Sequence, residues 1–202
     1  MSRRPTLLVV SGPPGAGKTT LAHALADALG RPLVCRDEIK ERLAATAAAD
    51  FASGPGPASG PGAASGPGLG GELDLRTLEV FFRTLGGHLA SGTSPVAEAA
   101  FQDRLWRPGL EPLADLAAIR VVRCVVDPEV ARLRITRRAA DLPSRAVHAD
   151  AALLRRIAAG ERPIESWVPV SLDVPCLVVD TTEGLRPSLA GILAFAAGAD
   201  GP

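Results

Sequence analysis

Asparagine and tyrosine are absent from this chain, and lysine occurs only at Lys18 and Lys40. Without asparagine there is no N-K-x-D segment, so guanine reading of the GTPase type is excluded. Aromatic residues make up only 3% of the chain, so aliphatic side chains must build the core. No apolar run approaches the ~18–20 residues of a membrane span. The basic start, Met1–Pro5, leads into an apolar stretch, Thr6–Val10, too short for a signal-peptide core. Basic and acidic residues balance at 22 each, which gives none of the overall basic excess expected of a nucleic-acid binder, a local patch aside. Cys35, Cys124 and Cys176 are odd in number and widely spaced, which suits neither a metal site nor a disulfide framework. Buried reduced thiols in a cytosolic protein are the expectation. Twenty of the 22 basic residues are therefore arginines, and most are read as codon bias rather than as phosphate contacts.

What is present is an alternation of short β-rich runs with helix-like stretches. Strands are predicted at Thr6–Val10, Pro32–Cys35, Thr93–Ala97, Ile119–Val126 and Val174–Val179. Helices are predicted at Lys18–Leu29, Asp37–Ala49, Glu72–Ala90, Leu110–Ala117, Pro128–Ala140, Ala149–Ala159 and Pro187–Ala197. Strands separated by helices imply an α/β fold: a three-layer sandwich around a parallel five-stranded sheet. At 202 residues the chain is expected to form a single domain over 1–202. One segment breaks the pattern. Residues 53–70 read SGPGPA, SGPGAA and SGPGLG, a hexapeptide three times over. Such composition cannot bury enough surface to offset its ordering. Residues 52–71 are read as a flexible Gly/Pro/Ser-rich insertion, either a linker or a substrate lid.

Gly12-Pro13-Pro14-Gly15-Ala16-Gly17-Lys18-Thr19 matches G-x-x-x-x-G-K-[ST] in full, between a predicted strand and a predicted helix. Glycines let successive backbone N–H groups curl around one anion, and the helix N-terminus adds its positive dipole end. Lys18 is then placed to reach the β- and γ-phosphates and the Thr19 hydroxyl to hold Mg²⁺, with Thr20 completing the cradle. The length argues against a mechanical ATPase.

Three further segments accompany this loop: Cys35-Arg36-Asp37-Glu38-Ile39-Lys40, Glu98-Ala99-Ala100-Phe101, and Asp127-Pro128-Glu129-Val130 opening an Arg-rich helix. Together they resemble the small P-loop kinases that include chloramphenicol phosphotransferase, gluconate kinase and zeta-toxin-like kinases. The resemblance spans nearly the whole chain outside the Gly/Pro insertion. It implies strand order 2-3-1-4-5, ATP and Mg²⁺ as cofactors, a small-molecule acceptor, and a helical lid at about 134–150. It implies that Asp37 takes the proton of the attacking hydroxyl, although Asp37 also suits a helix N-cap. Glu98 is preferred for Mg²⁺ or acceptor contacts; Asp127 and Asp180 also end apolar strands, with Asp127 suited to capping a helix. Arg134, Arg137 and Arg138 share a helix face. In the family that place carries arginines that stabilise the transition state, and a solvated basic face is the alternative. Thr181 resembles the family's adenine loop. Phe101, Arg104 and Trp106 are candidates for an acceptor pocket, with a core role open for Trp106; Arg145 and His148 fall in the expected lid loop. The expected function is phosphotransfer from ATP to a small-molecule hydroxyl. A nucleotide-dependent regulatory ATPase and a toxin-like nucleotide-sugar kinase stay open.

Overall fold

The central strand, β1 (Thr6–Ser11), has no polar side to offer water: Leu7, Leu8, Val9 and Val10 are all fully buried. A strand covered on both faces in this way belongs inside a parallel sheet. The computed structural model describes residues 4–53, 71–141 and 167–198. Within them β1 lies between β3 (Val96–Glu98) and β4 (Ala118–Val125), β2 (Leu33–Cys35) flanks β3, and β5 (Cys176–Asp180) flanks β4. All pairs are parallel, in the order β2-β3-β1-β4-β5. This is the order the family resemblance implied.

Alternation along the strands divides the core into two layers. Leu7, Val9, Ala97, Ile119 and Val121 face Phe81 and Leu85 of α3 (Glu72–Ala90) and Trp106 and Leu110 of α4 (Asp103–Leu110). Leu8, Val10, Val96 and Val122 face Leu21 and Leu25 of α1 (Lys18–Leu29) and Ile192 of the last helix described, α6 (Leu189–Ala196). Two more helices follow strand ends: α2 (Arg36–Ser53) after β2 and α5 (Pro128–Asp141) after β4. Among the described residues no helix is long and apolar enough to cross a membrane.

The α1 and α3 ranges match their sequence patterns residue for residue. The next helix does not: α4 starts at Asp103, and the expected helical stretch to Ala117 is a 3₁₀ turn over Glu111–Asp115. Pro108-Gly109 reads locally as a turn, yet it lies within α4. The glycine is required there by packing, since a Cβ on Gly109 would stand 2.3 Å from the Phe82 ring. The third strand is also shifted, to Val96–Glu98, because Pro95 has no N–H for the ladder. Cys176, expected to be buried, is exposed at the start of an edge strand, whereas Cys35 and Cys124 are buried as expected. The expected helix over 149–159, most of the insertion, and Arg145 and His148 lie outside the described residues.

Candidate active site

The site is assembled where the C-terminal ends of β2, β3 and β1 lie side by side, the edge at which open α/β sheets place ligands. After Ser11 the chain turns through Gly12–Gly17 and enters α1 at Lys18. Gly15 has φ +78° and is pressed against α5; a Cβ there would stand 2.7 Å from the Ala131 carbonyl oxygen. Gly17, at φ +68°, occupies the N-cap without a side-chain cap. The first N–H groups of α1 therefore have no capping side chain and face the turn, the arrangement that binds anions. Thr19 and Thr20 are exposed in that first turn.

Lys18 Nζ lies 4.0 Å from Glu98 Oε1. Glu98 stands in register with Val10 of β1 on one side and Cys35 of β2 on the other. Its side chain is only 2% exposed. Burial pushes its carboxyl above the usual range, and the nearby Asp37 charge adds to this. Lys18, the Cys35 thiol and the Thr19 hydroxyl oppose the shift by favouring the ionised form. The second carboxylate oxygen accepts a hydrogen bond from Cys35 Sγ at 2.9 Å.

Asp37 sits in the first turn of α2, 71% exposed at its side chain, paired with Arg36 Nη1 at 2.9 Å. It is the helix's second residue. The position before the helix's first residue, Arg36, belongs to Cys35, and the backbone N–H groups of Asp37 and Glu38 favour its thiolate form. Cys35 holds the N-cap position that the sequence suggested for Asp37, leaving the carboxylate free of that task. Cysteine is not among the preferred capping residues, so no local signal marks it. Asp74, likewise unmarked, is the first-turn residue of α3 that binds Arg36 Nη2 at 2.6 Å and Lys40 Nζ at 2.7 Å.

The other strand-end acids are occupied elsewhere. Asp127 Oδ1 accepts from the N–H groups of Glu129 and Val130, capping α5. Asp180 Oδ1 accepts from the Thr182 N–H, and hydrogen bonds from Thr182 hold its carboxyl below the usual range. Both line an open cavity of about 360 Å³ together with Val125, Val126, Thr182, Glu183 and Arg186, at the ends of β4 and β5.

Three candidate residues have other work. Arg134 spends its guanidinium on backbone: Nη1 donates to the Gly15 carbonyl (3.4 Å) and the Thr181 hydroxyl (3.2 Å), Nη2 to the carbonyls of Thr181 (2.6 Å) and Thr182 (3.2 Å). Thr181 is buried, and its hydroxyl donates to the Ala16 and Val125 carbonyls. Together they brace the phosphate loop against β4 and β5. Phe101 is fully buried at φ +45°, its ring 4.8 Å from Trp106 and 6.0 Å from Phe81, within the core. Trp106 is the core anchor. Arg104, Arg137 and Arg138 are exposed.

A family model described as "AAA domain" matches residues 7–163. Among solved structures the chain is similar to a "putative kinase" from Chloroflexus aurantiacus J-10-fl, at 25% identity and TM-score 0.62, covering 98% of this chain and 97% of that one. A sugar kinase from Janibacter sp. HTCC2649 (17% identity, TM-score 0.54, 97% and 94% covered) has the same fold. So does a gluconokinase from Sinorhizobium meliloti 1021 (20%, 0.52, 97% and 94%). No curated protein matches the chain.

Proposed function

The chain belongs to this AAA-domain family of small P-loop kinases, and on that premise we propose that it moves the γ-phosphoryl group of ATP to a hydroxyl of a small molecule. The observation that carries the reading is the convergence of Lys18, Thr19, Glu98 and Asp37 at one edge of the sheet. Phosphoryl transfer asks little covalent chemistry of a protein and depends on positioning and charge. The open N-terminus of α1 and Lys18 suit the phosphates of ATP. Asp37, exposed and released from capping, suits the proton of an incoming hydroxyl. Arg137 and Arg138, exposed on α5, suit the charge that develops on the transferred group. Arg134 and Thr181 serve as the brace that keeps the phosphate loop in shape. The solved structures of this fold include a sugar kinase and a gluconokinase, which favours a small polyhydroxylated acceptor.

The residues fit Mg²⁺. That ion keeps several waters and takes one or two protein oxygens beside the phosphates. Thr19 and Glu98 offer that number, and among the described residues no cluster of three His, Cys, Asp or Glu would cage a metal by itself. When bound, Mg²⁺ neutralises charge on the phosphate oxygens.

The test is acceptor-dependent release of ADP across a panel of hydroxylated metabolites, with Asp37→Asn alongside. Asparagine keeps the size and polarity of Asp37 and cannot take the proton. We expect ATP affinity close to wild type and transfer slower by ~10²-fold or more. Wild-type transfer in Asp37→Asn removes the base assignment. ATP binding with no acceptor-dependent ADP release overturns the kinase reading.

A further inference from the structure

Cys35 is the thiol that hydrogen-bonds the buried carboxylate of the site. It pairs in register with Glu98 across the β2–β3 ladder and is 2% exposed. It directly precedes the first turn of α2, whose Asp37 and Glu38 N–H groups favour its thiolate form. Its S–H donates to Glu98 Oε2 at 2.9 Å. That leaves Oε1 as the oxygen on the Lys18 side. Lys18 at 4.0 Å attracts the carboxylate without fixing its plane, which a direct hydrogen bond at 2.9 Å does. We infer that Cys35 is a positioning residue: its thiol holds one oxygen of Glu98 so that the other faces the phosphate and cation side of the site, and it couples that carboxylate to the turn bearing Asp37. Burial and the Glu98 charge push the thiol up to about 12. It is correspondingly a poor nucleophile. The inference rests on the proposed cation-holding role of Glu98.

The experiment reads the Mg²⁺ concentration at half-saturation for binding of a fluorescent, non-hydrolysable ATP analogue, which needs no acceptor. Outer partners of metal-holding groups commonly contribute ~10–100-fold. Cys35→Ala should therefore raise the half-saturating Mg²⁺ by roughly 10-fold, at the low end of that range. Cys35→Ser keeps a donor and should stay close to wild type. Glu98→Gln should weaken Mg²⁺ dependence itself, and adding Cys35→Ala to it should cost nothing further, because the two act as one unit. Infrared spectra of the unliganded protein give a second reading that does not depend on how well Cys35→Ala folds. The Cys35 S–H stretch, identified by its loss in Cys35→Ser, should move to higher frequency in Glu98→Ala, which removes the acceptor. An unmoved band overturns the inference. So does a wild-type Mg²⁺ response in Cys35→Ala while Glu98→Gln is weakened, or an equal loss in Cys35→Ala and Cys35→Ser, which would make the thiol a packing element. A wild-type response in Glu98→Gln overturns the role of Glu98 and the inference with it.

Discussion

Glu98 holds its position against an electrostatic cost, and that cost has a pH signature. Desolvation raises its carboxyl in the folded protein, with Lys18 as the main opposing influence. Over the interval between the ordinary glutamate pKa and the raised one, the folded state keeps a proton that the unfolded chain has released. Stability contributed by the neutral form is complete below that interval and is lost as pH rises through it. Glu98→Gln removes the titration while keeping shape and an acceptor for the Cys35 thiol. Its melting temperature relative to wild type, measured without nucleotide or Mg²⁺, should climb as pH rises above the ordinary glutamate range and then level off. A difference that stays constant as pH rises would mean that Glu98 is ordinary in the folded state. Sequence reasoning found the residue from its place at a strand end. Its burial and its neighbours were not legible, because both depend on β3 lying between β1 and β2.

At the scale of an element, α5 divides its arginines between two tasks. Arg134 points at the carbonyls of Gly15, Thr181 and Thr182, and a Cβ on Gly17 would come within 3.9 Å of its Nη1. Arg137 and Arg138 are exposed. The i, i+3, i+4 spacing groups all three on one helix face, but a face a few residues wide still straddles the boundary between a packed seam and open solvent. Arg134→Ala leaves carbonyls without their charged donor and should cost about 2 kcal/mol of stability. It should also raise the KM for ATP, since the phosphate loop loses its brace. Arg137→Ala should leave the melting temperature unchanged and lower kcat more than it alters KM, as expected where an interaction is made only in the transition state. Thermal denaturation and steady-state kinetics on the two variants decide it; interchangeable behaviour would contradict the division. In α4 the same limit on local reading appears. Pro108-Gly109 lies within the helix, and the Phe82 ring packs where a Cβ on Gly109 would stand.

For the whole molecule, the Gly/Pro/Ser insertion is the segment that the fold should do without. Its three hexapeptides offer no core-forming side chain except Leu69. Arg36 and Lys40 on α2 join Asp74 on α3 directly, so the helices on either side hold each other without it. Replacing residues 53–70 with a short Gly-Ser linker should leave the melting temperature almost unchanged, because loop-closure entropy varies slowly with length. A large loss of stability would show that the segment packs; lost turnover with stability intact would make it a lid. The sequence by itself determined the phosphate loop, the α/β class and the strand–helix alternation. Each of these is written locally, in a contiguous motif or in the periodicity of neighbouring residues. Tertiary structure decided which strand-end acid lies beside Lys18, that Cys35 rather than Asp37 stands before α2, that Arg134 and Thr181 hydrogen-bond the phosphate loop, and that Phe101 is core. Those outcomes depend on strand order and on contacts between residues tens of positions apart, such as Cys35 with Glu98 and Arg134 with Gly15. Local pattern carries no term for such pairs, because only the closed sheet brings them within bonding distance.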